Sequence, residues 1–350
     1  MKMRSLLFTL PLFLAACTDE TIASAAEPGD PVAVNTFPRP LNPFDEQDQK
    51  EGRLVWQGIL RLESPDVRFG GISGLVVSAD GARFLAVTDD GHWLWGALSY
   101  DARGWLQGVS DVRIAPLLDE DGDALSGKSE GDAEGLAAAT PNDLSGDVLV
   151  SFEREHRVWR YEWGKSGPAA RAINVPVNPD VARLPENSSL EAIAARNDII
   201  FYAGEQGLED GPKDENDEGL ETPLWTACLH SCIEQTFTLT LKPPFSLTDM
   251  AVTPGNELLT LERHFSPLTG VRAQLRLLPL DGWTRETPID GPIIASFGPG
   301  DTLDNMEGVS VRKGAHGETL VYLVSDDNFN RGVQATLLML FRLEGPESVQ

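Results

Sequence analysis

The amino-acid sequence predicts an all-β fold, a five-bladed β-propeller of four-stranded blades whose ring is closed by an N-terminal strand. A short pattern, an acidic or hydroxyl residue followed by a small or apolar residue and an apolar run, recurs five times. The leading residues of the five repeats are Ser73, Glu134, Glu191, Asp249 and Glu307, with spacings of 61, 57, 58 and 58. Repeats of this length are typical of propellers, which close their ring and so remove exposed sheet edges.

Each repeat opens a unit in which further strands are readable. In the first unit they cover residues 84–90, 92–100 and 109–117, and the second strand ends in acidic residues. The fifth unit reaches the chain end after three strands. We expect the spare strand 53–62, which precedes the first repeat, to complete it. A six-bladed ring and an all-β sandwich with coincidental spacing are the alternatives.

The first residues are typical of an export signal. Lys2 and Arg4 precede an apolar run over 6–16, which is too short to span a bilayer as a mature helix. The string Leu14-Ala15-Ala16-Cys17 resembles a bacterial lipobox. We therefore predict a signal peptide over 1–16, a lipidated Cys17 with a flexible tether over 17–51, and the propeller domain over 52–345. Cleavage at Ala23-Ser24-Ala25 is the alternative.

These signals predict an envelope lipoprotein that faces the periplasm, on the outer membrane, with a soluble periplasmic protein as the alternative. The formal charge of −26 argues against nucleic acid and anionic lipid as partners, because a phosphate backbone needs a basic face. Membrane contact is then expected only through the lipid anchor, and we expect a monomer. Cys228 and Cys232 predict a disulfide in an oxidising compartment, with a zinc site including His230 as the alternative.

The predicted topology brings the acidic residues together at one mouth of the central channel, where first strands begin and second strands end. A hard cation is the natural partner of many converging carboxylates, and calcium accepts six to eight oxygens in loose geometry. Alternatively, acids at strand starts accept backbone hydrogen bonds and connect the blades. The predicted metal ligands are Asp89, Asp90, Glu134, Glu191, Glu205, Asp249, Glu307, Asp326 and Asp327.

Other polar residues near the second-strand ends suggest chemistry. Glu153, Glu262, His156 and His264 are candidate catalytic acids or bases. Arg154, Arg263, Asn328 and Arg331 are candidate substrate-binding residues, since guanidinium groups bind phosphate or carboxylate bidentately. The sequence contains no Gly-x-Ser-x-Gly or His-Glu-x-x-His motif. Attack by water with help from a metal is therefore favoured over a covalent serine mechanism.

Several strings together carry a family resemblance. They are Phe69-Gly70-Gly71-Ile72-Ser73-Gly74-Leu75, Val87-Thr88-Asp89-Asp90-Gly91, Gly131-Asp132-Ala133-Glu134-Gly135-Leu136, Leu261-Glu262-Arg263, Asn305-Met306-Glu307-Gly308-Val309 and Ser325-Asp326-Asp327-Asn328-Phe329. In this order they resemble the phytase-like proteins described as having esterase-like activity of phytase, over residues 52 to 345. The resemblance implies a propeller with recurring Glu and Asp and phosphoesterase-type chemistry.

The sequence thus predicts an exported hydrolase of a small ester or phosphoester, assisted by a divalent cation, namely calcium. A non-catalytic binding propeller of the cell envelope is one alternative. A calcium-dependent lactonase-like hydrolase is another, because it uses similar groups without the arginines. Fold alone does not choose among these functions.

Overall fold

Five antiparallel sheets surround a central axis in the computed structural model, which describes residues 29–185, 190–208, 210–216, 219–230 and 232–345. Each sheet is one blade, and the innermost strands of successive blades contact one another around the ring, the last contacting the first. The predicted five-bladed propeller is therefore confirmed.

The strands follow the repeats of the sequence. The N-terminal strands are β1 (Asp30–Pro31), β2 (Asn35–Arg39), β3 (Lys50–Glu51) and β4 (Leu54–Glu63). Blade 1 contains β5 (Ile72–Val77), β6 (Arg83–Thr88), β7 (His92–Tyr100) and β8 (Leu106–Pro116). Blade 2 contains β9 (Ala133–Ala138), β10 (Val148–Phe152), β11 (Arg157–Tyr161) and β12 (Ala172–Val175). Blade 3 contains β13 (Ala192–Arg196), β14 (Ile199–Ala203), β15 (Glu221–Cys228) and β16 (Gln235–Thr240). Blade 4 contains β17 (Ser246–Val252), β18 (Glu257–Ser266), β19 (Gly270–Pro279) and β20 (Ile293–Phe297), and blade 5 contains β21 (Asn305–Lys313), β22 (Thr319–Asp326) and β23 (Thr336–Leu343).

The N-terminal strand β4 completes blade 5. It pairs antiparallel with β23 from Thr336 opposite Leu62 to Leu343 opposite Leu54. This pairing joins the two ends of the propeller in one sheet, so the ring has no open edge at the junction. The spare strand predicted over 53–62 therefore has the predicted role.

Residues 29–51 differ from the predicted flexible tether. β1 adds to the edge of blade 1 by pairing with β8, while β2 and β3 pair with β4 on blade 5. Leu41 is buried in the core between blades 4 and 5. Proline-rich sequence suggested an unstructured linker, yet proline is compatible with edge strands because an edge leaves N–H groups unpaired.

The innermost strands are buried on both faces, which explains their continuous apolar runs. β5 is buried along its whole length. Two glycines allow these strands to approach closely: a Cβ at Gly74 would lie 2.6 Å from the backbone nitrogen of Leu136, and one at Gly135 would lie 2.3 Å from the carbonyl oxygen of Glu191. The glycine in the Ser-Gly and Glu-Gly repeats is thus required by packing between blades.

Helical structure is limited to short connections. The described helices are α1 (Gly127–Gly131), α2 (Trp163–Ser166) and two 3₁₀ turns, Gly167–Ala169 and Pro179–Arg183. α1 is inserted between blades 1 and 2, beside the mouth of the channel. None of the described helices is long and apolar enough to cross a membrane.

Candidate functional site

An acidic cavity of about 830 Å³ lies at the mouth of the channel where the second strands end. Eight carboxylate side chains and two cationic side chains line it. The carboxylates are Asp89, Glu134, Glu153, Glu191, Glu205, Asp304, Glu307 and Asp326, and the cations are Lys128 and Arg263. The predicted convergence of acidic residues on one mouth is therefore seen in the structure.

One set of residues, all but Thr248 of which line the cavity, is positioned by β-bulges in the innermost strands. In blades 1, 2, 4 and 5 the pairing between the innermost and second strands shifts by one, which leaves one extra residue in the innermost strand. In blade 3 the corresponding residue directly precedes β13. A bulge turns the extra residue away from the alternation of its strand. We call these five positions the bulge ring: Ser73, Glu134, Glu191, Thr248 and Glu307.

A second set of cavity residues lies at the ends of the second strands. Each of these residues directly follows the second-strand residue that pairs with the innermost strand just before the bulge. In blade 1 the pair is Ile72 with Thr88, and in blade 2 it is Ala133 with Phe152. The next residue donates its backbone N–H to the residue before the first strand, as Asp89 does to Gly71. We call these positions the strand-end ring: Asp89, Glu153, Glu205, Arg263 and Asp326.

In blade 4 the residues that the sequence analysis matched to the repeat are each off by one position. Its bulge residue is Thr248, one position before the predicted Asp249, and its strand-end residue is Arg263, one position after the predicted Glu262. Because side chains alternate along a strand, a shift of one residue moves a side chain to the opposite face. Asp249 and Glu262 therefore do not line the acidic cavity.

Asp249 instead connects three blades. It is fully buried, and its carboxylate accepts hydrogen bonds from the backbone N–H groups of Met250 at 2.8 Å and Val309 at 2.7 Å, and from that of Ile193. Burial raises its pKa well above the usual range, while the three N–H donors oppose that rise. This residue fits the alternative in which acids connect the blades.

Glu262 belongs to a buried polar network within blade 4. Its carboxylate accepts hydrogen bonds from Gln274 at 2.6 Å and from Thr260 at 3.1 Å, and it pairs with the fully buried Arg276. Arg276 also contacts Asp290 at 2.9 Å. A carboxylate surrounded in this way has no access to a substrate, so its predicted catalytic role does not fit its position.

The candidate metal centre lies at blade 2. Ligand oxygens from Asp132, Glu134 and Glu153 all lie within 4.8 Å of one another. Asp132 is also held by two cations, since Arg154 Nε donates to it at 2.6 Å and Lys128 Nζ lies 3.5 Å away. Three carboxylates at this spacing provide oxygen ligands of the kind that hard divalent cations prefer.

The cavity carboxylates have raised pKa values. Burial, with neighbouring carboxylates adding to it, raises the pKa of Glu153 and Glu307 to about 7 and that of Asp326 to about 8. The same two causes raise the pKa values of Glu134 and Glu191 well above the usual range. Several of these groups therefore hold protons near neutral pH, and a cation that binds among them must displace those protons.

Arg263, which lines the cavity from blade 4, offsets part of this charge. Its Nε lies 3.2 Å from Glu307 and its Nη2 lies 3.6 Å from Glu205. Burial opposes its charged form, but Glu307, Glu205 and Glu191 outweigh burial and raise its pKa. On the other side of the cavity, Lys128 Nζ contacts Asp89 at 2.6 Å. Both cations that line the cavity are thus paired with carboxylates.

Three predicted residues near the second-strand ends lie outside the cavity lining. His156 lies in the turn between β10 and β11, and His264 stacks edge-on against Phe245 with ring centroids 6.0 Å apart. Asp90 is exposed in the turn after β6. Turn and outward-facing positions separate these side chains from the converging carboxylates.

The loop after β22 has a mainly structural role. Arg331 donates to the carbonyl oxygens of Ser64 at 2.8 Å and Asp66 at 2.6 Å, which ties this loop to the loop after β4. Asp327 accepts from the backbone N–H groups of Gly71 and Phe329. Asn328 lines the cavity, whereas Arg331 and Asp327 do not.

The two cysteine predictions fall in different parts of the chain. Cys228 and Cys232 are joined in a disulfide at the end of β15, with Cα atoms 5.8 Å apart. The disulfide leaves the alternative zinc site without thiolate ligands, and His230 instead contacts Asp198 at 2.7 Å. Cys17 lies outside the described residues.

Sequence reasoning missed six polar residues at the site, two of which, Asn330 and Gln334, line the cavity from the loop after β22. Lys128 reaches it from the inserted helix α1, and Asp304 and Asn305 reach it from the start of β21. Asp132 stands two residues before Glu134 in the sequence. That proximity was the one available signal, because nothing in the repeat indicates that an insertion between blades turns back over the mouth.

Comparisons with known proteins give a family match for this chain. The family model named phytase-like, described as esterase-like activity of phytase, matches residues 67–329. No curated protein sequence matches the chain. The β-propeller domain of Cps50 (Swd1) from Myceliophteria thermophila is one similar solved structure, with 13% identity, coverage of 90% of each chain and a TM-score of 0.36.

Proposed function

This chain belongs to the phytase-like family, and from that premise we propose that it is a hydrolase of esters or phosphoesters, assisted by a divalent cation at the acidic cavity. The observation that supports this most is the convergence of eight carboxylates and two paired cations on one cavity of about 830 Å³. This volume lies within the range of small-molecule sites. Concave shape and perturbed pKa values together mark a candidate active site.

We propose Asp132, Glu134 and Glu153 as the residues that hold the cation, because their oxygens already lie within 4.8 Å of one another. Calcium suits an all-oxygen site that is not rigidly octahedral. A bound divalent cation supplies Lewis-acid polarisation of a carbonyl or phosphoryl oxygen. Arg154 and Lys128 hold Asp132 in place from either side.

The remaining groups would bind substrate and handle protons. Asp326, with a pKa raised to about 8, is protonated at neutral pH and is able to donate a hydrogen bond. Glu307, with a pKa raised to about 7, is placed to accept or release a proton near neutral pH. Asn328 offers amide groups that orient a polar substrate.

The first test is thermal unfolding of the purified protein after EDTA treatment, and again after calcium is added back. A cation that binds only the folded state stabilises it by about 2.7 kcal/mol at one hundred times its dissociation constant. For a domain of this size we expect the midpoint to rise by about 5 °C. Turnover is measured in parallel with p-nitrophenyl acetate, p-nitrophenyl phosphate and bis-p-nitrophenyl phosphate.

Glu153→Gln and Glu155→Gln form a matched pair. Glu153 is a proposed ligand, whereas Glu155 lies two residues away with its side chain 70% exposed. We expect the calcium effect and turnover to disappear in the first variant and to persist in the second. A calcium effect without turnover of any ester would favour the binding-propeller alternative, and no effect of calcium would refute the metal centre.

We also propose that the protein is exported and anchored to the outer membrane through Cys17, with a small ester or phosphoester as its partner and no nucleic-acid contact. The support is the apolar run before the lipobox-like string and the charge of −26. Cys17→Ser in a bacterial host is expected to move the protein from the detergent phase to the aqueous phase in a phase-separation assay. Equal partitioning of the two forms would contradict the anchor.

A further inference from the structure

The hairpin β18–β19 of blade 4 extends beyond the strand-end ring. Arg263 pairs with Ala273, and three more pairs follow: His264 with Arg272, Phe265 with Val271, and Ser266 with Gly270. The corresponding hairpin of blade 2 stops at Phe152 opposite Arg157, before its ring residue. The blade 4 hairpin therefore stands above the mouth of the cavity, with Phe265 and Val271 facing it.

Apolar side chains form one side of the same cavity. Phe265, Val271, Leu303 and Val333 line it from blades 4 and 5, and we call this set the apolar shelf. Phe265 is 59% exposed and Val333 is 81% exposed. In a five-membered ring, blade 2 lies across the axis from the junction of blades 4 and 5. The apolar shelf therefore lies opposite the carboxylates of Asp132, Glu134 and Glu153.

The charges in the cavity disfavour a highly phosphorylated ligand. Eight carboxylates line the cavity against two cations. Lys128 already contacts Asp89 at 2.6 Å, and Arg263 lies 3.2 Å from Glu307. A polyanion would find no unpaired cation among these described lining residues and would be repelled by those carboxylates that are ionised. One divalent cation adds only two positive charges to the cavity, which favours a ligand with at most one negative charge over a polyanion.

We propose that the ligands of this cavity are esters with an apolar acyl or aryl group and at most one negative charge, and that the apolar shelf binds the apolar group. In this arrangement the ester bond points across the axis toward blade 2. Turnover of such esters rests on the proposed hydrolase function, whereas binding of the apolar group to the shelf does not.

Binding is tested with N-phenyl-1-naphthylamine, an uncharged probe that fluoresces in apolar sites. We expect Phe265→Ser to weaken its binding about tenfold, because a ring that covers about 60 Å² of probe contributes at about 25 cal/mol/Å². Val333→Ser, on the other blade, is expected to weaken it about threefold. Leu268→Ser is the matched control: Leu268 is 96% exposed at the tip of the same hairpin and does not line the cavity.

Unchanged probe affinity in both shelf variants would overturn the proposal, as would an equal loss in Leu268→Ser, which would make the hairpin tip the binding surface. Displacement of the probe by inositol hexakisphosphate at equal concentration would also overturn it. In the turnover arm, the ratio of kcat/KM for p-nitrophenyl octanoate to that for p-nitrophenyl acetate is expected to fall about tenfold in Phe265→Ser. If no ester is hydrolysed while the binding results hold, the hydrolase function fails and the apolar shelf stands.

Discussion

Replacing Asp326 with asparagine is expected to stabilise the calcium-free protein at alkaline pH and to leave it unchanged at acidic pH. Asp326 ends β22, is 6% exposed and faces Asp89 and Glu307. Its Oδ1 accepts a hydrogen bond from the backbone N–H of Asn328 at 2.7 Å. The amide oxygen of asparagine is able to accept that bond, so the substitution removes the charge and keeps the contact.

The sign follows from proton linkage. Burial, and then the neighbouring carboxylates, raise the pKa of Asp326 from 3.8 in the unfolded chain to about 8 in the folded protein. Between these values the folded protein binds more protons than the unfolded chain, so the free energy of unfolding falls as pH rises. The destabilisation is absent below pH 3.8 and complete above about pH 8.

A pKa difference of about four, at about 1.4 kcal/mol for each pH unit, sets an upper limit of about 6 kcal/mol for this destabilisation. Neighbouring acids lose their protons more readily once Asp326 is neutral, which reduces the gain from the substitution. We therefore expect Asp326→Asn to raise the free energy of unfolding at pH 9 by about 2–4 kcal/mol.

The assay is urea unfolding of both proteins in EDTA at pH 5 and at pH 9, followed by tryptophan fluorescence. At pH 5, about 1.2 pH units above the unfolded pKa of 3.8, the variant is expected to gain less than about a third of what it gains at pH 9. Equal stability at pH 9 would refute the reasoning, because it would mean that folding does not raise the pKa of Asp326. A loss of stability at both pH values would also refute it, because it would mean that Asp326 serves mainly as a structural contact. Calcium added at pH 9 is expected to stabilise the native protein more than the variant.

Three further predictions follow from the site. Asp249→Ala removes the acceptor of three backbone N–H groups and is expected to lower the free energy of unfolding, measured by urea unfolding, by about 2–4 kcal/mol. The control Asp90→Ala, at an exposed turn, is expected to change this free energy by no more than about 0.5 kcal/mol. Glu262→Gln removes one of the two charged partners of the buried Arg276, leaving Asp290, and is expected to lower stability by about 3 kcal/mol. Calcium is still expected to raise the unfolding midpoint of this variant, and loss of the calcium effect would return Glu262 to the site. Calorimetric titration is expected to show that calcium affinity falls up to about tenfold for each pH unit below 7. The reason is that Glu153, whose pKa is raised to about 7, must lose its proton to bind the cation. An affinity independent of pH from 6 to 8 would place the cation elsewhere.

Much of the fold is predictable from the sequence because each blade repeats the same physical requirements. An innermost strand buried on both faces needs a continuous apolar run, and its close neighbours need a small residue such as Gly135. The second strand needs a turn after its end, and acids mark that place at Asp89 and Asp326. These requirements are local, so they appear as a pattern with regular spacing.

The site is predictable only where the repeat keeps its register. Glu134 and Glu307 lead their repeats in the sequence, and in the structure they lie in the bulge ring and line the cavity. In blade 4 the acid stands one residue later, after Thr248, and spacing alone does not distinguish the two positions. The bulge depends on pairing between distant strands, and its location decides which of two neighbouring side chains faces the axis.

The sequence by itself determined the all-β class, the number of blades, the closure by an N-terminal strand and the presence of an acidic mouth. Tertiary structure alone decided that Arg263 rather than Glu262 enters the cavity, that Lys128 reaches it from α1, and that Phe265 stands above it. The physical reason is that strand patterns depend on each residue's own neighbours along the chain. The composition of the cavity depends on bulges, insertions and hairpin lengths, whose effects are set only when five blades meet around one axis.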